Sequence, residues 1–116
     1  MSSGRFRRVA LTLPGAVEGS HQGTADFRVG KRIFATLGYP DGDWGMVKLT
    51  PEQQAVLVEA EPGIFRAVPG GWGKQGYTNI RLARADPVTL RSALTLAWGN
   101  IAPKPKPKAP SRRPQT

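Results

Sequence analysis

Ala25-Asp26-Phe27-Arg28-Val29-Gly30-Lys31-Arg32-Ile33-Phe34-Ala35-Thr36-Leu37 is a pair of β-rich runs joined through a glycine and a lysine. Branched and aromatic side chains suit a pleated, half-buried surface, and Gly30 gives the backbone the freedom to reverse tightly. The stretch therefore predicts a hairpin with Arg28, Lys31 and Arg32 about its turn. Working outward, Val17–Gln22 reads as a short strand joined to this hairpin by Gly23-Thr24. On the other side, the turn Gly38-Tyr39-Pro40-Asp41-Gly42-Asp43 leads into a fourth strand, Trp44–Leu49. An antiparallel meander is the economical reading.

Helices bracket and interrupt this meander. Phe6, Val9, Ala10 and Leu13 fall at i, i+3, i+4 and i+7, one side of a helix over residues 4–13, with Pro14-Gly15 as its stop. Thr50-Pro51-Glu52-Gln53 combines an N-cap threonine, a proline of fixed φ and a glutamine that closes a capping box, predicting a second helix to about Ala60. Asp86-Pro87 repeats the cap-plus-proline signature ahead of Leu90, Ala93, Leu94, Ala97, Trp98 and Ile101, the cleanest apolar stripe in the chain. Phe65–Val68 and Thr78–Leu82 are two further strands, able to pair across the segment between them. The expected fold is α+β: a single compact domain over residues 1–102, with an antiparallel sheet packed with about three helices. Residues 103–116 alternate proline with Lys104, Lys106 and Lys108 and end in Arg112 and Arg113, the composition of a disordered basic tail.

At 116 residues the chain suffices for one core that buries roughly two thirds of its extended surface. It has no cysteine, which excludes disulfides, thiolate metal clusters and thiol nucleophiles. The N-terminus carries no apolar leader, and no run approaches the ~20 apolar residues of a membrane span, so a soluble cytoplasmic protein without membrane contact is expected. The net charge is +9. Residues 1–100 carry 12 basic and 8 acidic side chains, so more than half of the excess lies in the tail. Such a surplus favours polyanions through counterion release.

Nothing spells a catalytic site, and no enzyme activity is expected. His21 is the sole histidine; beside Glu18 or Asp26 it has the chemistry of an acid or base, but no nucleophile is tied to it, and adjacent Ser20 points to the opposite face of a strand. One histidine and scattered carboxylates offer no zinc spacing, and Asp41-Gly42-Asp43 lacks the further ligands of a calcium loop, so neither metal nor cofactor is expected. The most suggestive segment is Val68-Pro69-Gly70-Gly71-Trp72-Gly73-Lys74-Gln75-Gly76-Tyr77. Its glycines resemble a phosphate-cradling loop, but the Lys-Ser/Thr ending and the following helix are missing. Its rings either pack back onto the fold, with Trp72 closing the core like a lid, or face a partner. Trp44 and Trp98 read as structural.

The phrases Val9-Ala10-Leu11-Thr12-Leu13-Pro14-Gly15, Phe27-Arg28-Val29-Gly30-Lys31-Arg32-Ile33-Phe34-Ala35, Lys48-Leu49-Thr50-Pro51-Glu52-Gln53 and Trp72-Gly73-Lys74-Gln75-Gly76-Tyr77-Thr78, in that order, resemble the MmcQ/YjbR-like family across residues 5–102. The resemblance implies a compact α+β domain likened to a double-wing DNA-binding fold. Combined with the basic and aromatic residues, it suggests a monomeric, non-catalytic module for double-stranded DNA. Its contacts would be Arg28, Lys31, Arg32, Lys48, Trp72, Lys74, Tyr77 and Arg81, with tail residues Lys104, Lys106, Lys108, Arg112 and Arg113 adding non-specific affinity. The alternative is a small-molecule or protein-binding module using the sheet near the glycine-aromatic segment.

Overall fold

The computed structural model describes residues 3–21, 24–38 and 43–101. Helix α1 (Ser3–Thr12) turns Phe6, Val9 and Ala10 to one side, with Leu13 just beyond its end, and all four are buried. At Gly15 the backbone enters the left-handed region, φ +76°, and breaks away from the helical path. Strands β1 (Val17–His21), β2 (Thr24–Val29), β3 (Arg32–Leu37) and β4 (Trp44–Lys48) then run as an antiparallel meander.

Helix α2 (Pro51–Ala60) begins in the expected capping box: the Thr50 hydroxyl accepts from the Gln53 N–H at 3.1 Å, and Gln53 Oε1 accepts from the Thr50 N–H at 2.9 Å. Strand β5 (Phe65–Ala67) and strand β6 (Tyr77–Arg81) pair with each other, as the flanks of the glycine-rich segment were expected to. Between them the segment is not an open loop. It winds one turn of helix, α3 (Gly71–Lys74), a fourth helix beyond the three that periodicity predicts. Four residues are too few to show a period. Helix α4 (Pro87–Ile101) is capped by Asp86, whose carboxylate accepts from the Thr89 N–H at 2.7 Å, and buries Leu90, Ala93, Leu94, Ala97 and Ile101.

All six strands form one antiparallel sheet in the order β1-β2-β3-β4-β6-β5. The domain is α+β. Register and burial identify the two faces. A Cβ placed on Gly45 would strike the Phe6 ring, so Gly45 and, two residues on, Val47 look toward α1. Their partners across the ladders, Ile80 and Thr78 on β6 and Leu37 and Ala35 on β3, share that face. Gln54 of α2 donates to the Thr78 hydroxyl at 3.1 Å, which places α2 on the same side. The three long helices thus cover one face, and the core lies between them and the sheet.

One irregularity follows from packing. Phe27 pairs with Ala35 but Arg28 with Ile33, leaving Phe34 as an extra residue in β3. Strict alternation would turn either Phe34 or Ala35 away from the helices, yet both are fully buried in the core. The bulge allows consecutive residues to face the same way, and beyond it Ile33 falls on the opposite face beside Arg28.

Candidate functional site

The sheet face away from the long helices carries the other half of each alternation: Arg28 on β2, Trp44, Met46 and Lys48 on β4, Arg66 on β5, and Tyr77, Asn79 and Arg81 on β6. The strands are too far apart in sequence for this grouping to show in any one segment. The face shields itself with long side chains instead of a second layer. Asp26 is 0% exposed beneath Arg28, which donates to it through Nε at 2.7 Å and Nη2 at 3.1 Å. That hydrogen bond and the carboxylate charge raise the Arg28 pKa further above its ordinary value. Asn79 is buried at the centre of the face, and its Oδ1 has no hydrogen-bond partner among the described residues.

At one end of the face stand the starts of β3 and β6 and the end of β4, beside the β2–β3 turn. Lys31 occupies that turn with φ +75° and is exposed, as is Arg32. Lys48 Nζ lies 5.6 Å from the centroid of the Tyr77 ring, and Trp72 meets the same ring edge-on at 4.9 Å. Trp72 is 60% exposed, so it is not a lid on the core. Two glycines of its segment serve close packing: a Cβ on Gly73 would collide with the Val68 carbonyl, and one on Gly76, at φ +107°, with the Leu49 carbonyl. Gln54 Nε2 holds this turn from α2, donating to the carbonyls of Gly73 at 3.0 Å and Tyr77 at 2.9 Å.

Toward the other end, Trp44 lies opposite Arg81 in the β4–β6 ladder. The Arg66 and Arg81 guanidinium carbons sit 4.3 Å and 4.9 Å from its ring centroid. Although Trp44 is only 9% exposed, it is not part of the apolar core cluster; arginines are what cover it. Trp98, by contrast, packs against the core as expected and donates Nε1–H to the Pro14 carbonyl at 2.8 Å. Beside Trp44 a hollow of about 320 Å³ is lined by Pro62, Gly63, Ile64, Phe65, Arg66, Arg81 and Arg84.

A family model described as YjbR matches residues 11–100. The chain belongs to the YjbR family. Among solved structures, the YjbR domain is similar to Deinococcus radiodurans protein DR2400, described as a DUF419 domain: TM-score 0.69, 21% identity, 84% of this chain and 75% of that one covered. That likeness supports the fold alone. The search of curated proteins returned no match.

Of the residues singled out from the sequence, the YjbR fold brings Lys31, Arg32, Lys48, Trp72, Lys74 and Tyr77 to one end of the sheet, where Lys48 and Tyr77 lie on the open face and Arg32 stands opposite the core residue Val29. Arg28 shares the face but is bound to Asp26. Arg81 stands apart: four residues along β6 from Tyr77, it lies roughly 13 Å away. Lys104, Lys106, Lys108, Arg112 and Arg113 lie outside the described residues, as do Asp41 and Gly42 of the proposed polar turn. The carboxylates considered beside His21 are both engaged by arginines, Glu18 by Arg7 at 3.0 Å and Asp26 by Arg28. Among the described residues no three His, Cys, Asp or Glu side chains gather as for a metal ion, and no helix is long and apolar enough to cross a membrane.

Sequence reading missed Trp44, Arg66 and Arg84 as a group. The signal available was the alternation Trp44, Met46, Lys48 along β4, but only the ladder to β6 and β5 shows which cations stand over the ring.

Proposed function

We propose that this protein is a non-catalytic DNA-binding module of the YjbR family. It would grip the phosphate backbone with Lys31 and Arg32 of the β2–β3 turn and with Lys48 and Lys74, while Trp72 offers an exposed ring to the groove or to an unstacked base. One observation carries the reading: cations from three separate segments lie at the end of the sheet where an exposed Trp72 meets Tyr77, with Lys48 beside that ring. Among the described residues the ion pairs Arg7–Glu18 and Arg28–Asp26 involve none of these four cations. Released counterions then supply affinity, and the ring supplies contact area with little conformational cost. The basic tail adds charge without sequence selection. A cytoplasmic setting, with DNA as partner and the module acting as a monomer, belongs to the same reading.

Fluorescence anisotropy with labelled duplex DNA tests it, using the full chain and the chain ending at residue 102 across a salt series. The expected result is roughly micromolar binding that survives removal of the tail. Replacing Lys31 and Arg32 together by alanine should weaken it about tenfold and make the salt slope shallower by about 2. Binding that requires the tail, or that is indifferent to Lys31 and Arg32, would remove the folded domain as the DNA reader.

A further inference from the structure

We infer that the hollow beside Trp44 is an anion site for a small phosphorylated molecule, separate from the DNA-binding end of the sheet and independent of that reading. Three arginines, Arg66, Arg81 and Arg84, line one hollow. Among the described residues no side-chain hydrogen bond or ion pair is formed by any of the three, and none of Asp43, Glu61 and Asp86, the acidic residues nearest in sequence to the lining, lines the hollow; the Asp86 carboxylate accepts from Thr89. The two held over Trp44 interact through the ring's π-face, which leaves the in-plane N–H groups of a guanidinium available. Like charges gathered without an acid repel one another, and an oxyanion placed among them relieves that repulsion while accepting forked N–H pairs.

The elements that converge here are themselves fixed. The Arg81 N–H donates to the Ile64 carbonyl at 2.8 Å, and the N–H groups of Ile64 and Phe65 both donate to the Glu61 carbonyl at 3.0 Å. Arg66 and Arg81 are thereby set on paired strands, with the Pro62-Gly63 turn as one wall. Arg84 follows β6 in a turn closed by its own N–H on the Arg81 carbonyl at 3.1 Å, and its Nη1 stands near Gly63, 3.9 Å from where a Cβ would be. About 320 Å³ accommodates a phosphate and a modest attached group, at the lower end of small-ligand pockets. Donors converging on one hollow match a single compact anion; a duplex backbone calls for cations spread along a stripe.

The test follows the indole and arginine Nε–H signals of the ¹⁵N-labelled full chain by NMR. Inorganic phosphate, adenosine 5′-monophosphate, adenosine and duplex DNA are titrated separately, with chloride at matched ionic strength as control. The expected result is a saturable shift of the Trp44 indole with phosphate and with adenosine 5′-monophosphate, mutually competitive and absent with adenosine and chloride. Arg84→Gln should weaken both phosphates about tenfold, whereas the Lys31 and Arg32 double substitution should leave them within about twofold. No saturable shift at Trp44, an equal response to adenosine, or an unchanged Arg84→Gln would overturn the inference. So would a Trp44 response to DNA alone, which would make the hollow part of a nucleic-acid surface. Small phosphates that bind while duplex DNA does not would retain the anion site and reject the DNA reading. Because the shifts are read on the unmodified protein, the outcome does not depend on a variant folding.

Discussion

The two faces of the sheet are built from the same strands and obey opposite rules. Toward the helices, Phe27, Ala35, Val47 and Ile80 are wholly buried and meet apolar side chains from α1 and α4. Away from them, Arg28, Lys48 and Arg81 alternate with those residues, and the face is covered by its own long side chains lying over Asp26, Trp44 and Tyr77. Burial is therefore no guide to role in this molecule. Trp44 is nearly as inaccessible as a core residue, yet its neighbours are cations whose stems cover apolar surface while their heads remain wet.

That contrast can be broken by truncating one aromatic from each face. Phe6→Ala removes a ring that packs on Gly45 and lies 5.8 Å from Phe27, leaving a cavity the rigid sheet cannot close. Chemical denaturation should show a loss of about 3–5 kcal/mol. Trp44→Ala should lose only about 1–2 kcal/mol, because solvated guanidiniums move into the space and what disappears is mainly two cation–π contacts. Equal losses would mean that the open face is a second core.

The next effect sharpens the picture of how the end of the sheet beside Trp72 is held. Gly76→Ala puts a side chain at φ +107° against the Leu49 carbonyl, so the turn carrying Trp72 must shift or strain. A loss of about 2–3 kcal/mol is expected, together with movement of the Trp72 indole signal, while the Trp44 signal stays in place.

The smallest effect lies on the helical face. Hydrogen bonds from the Thr89 N–H and then from its hydroxyl hold the Asp86 carboxyl below its ordinary value of 3.8. A carboxylate whose folded pKa is depressed stabilises the fold fully above its unfolded pKa, and that contribution disappears as pH falls through the folded value. Asp86→Ala should therefore lower the melting temperature by a constant amount at neutral pH, and the gap from the parent protein should narrow below about pH 4. A gap unchanged down to strongly acid pH would show that the cap does not act through its charge.

Much of the fold was legible because it is written in short periods. The stripe from Leu90 to Ile101 names its helix, Thr50-Pro51-Glu52-Gln53 names the start of another, and six β-rich runs separated by glycine-bearing turns name the strands. The family phrases lay in those same segments. Less legible were α3, too short to be periodic, and the Phe34 bulge, which exists because core packing outweighs strict alternation.

The candidate site divides along the same line. From Ala25–Leu37 and Val68–Tyr77 alone one can pick out Lys31, Arg32, Trp72, Lys74 and Tyr77, since each segment is a local turn whose residues stay together. That Lys48 joins them, that Arg28 is committed to Asp26, and that Arg66, Arg81 and Arg84 converge beside Trp44 were settled only by tertiary structure. The sequence by itself determined the elements and the charge they carry, because both depend on residues a few positions apart. Only the folded sheet decided which charges meet, because β6 lies between β4 and β5, and register across those ladders sets each side chain's neighbours.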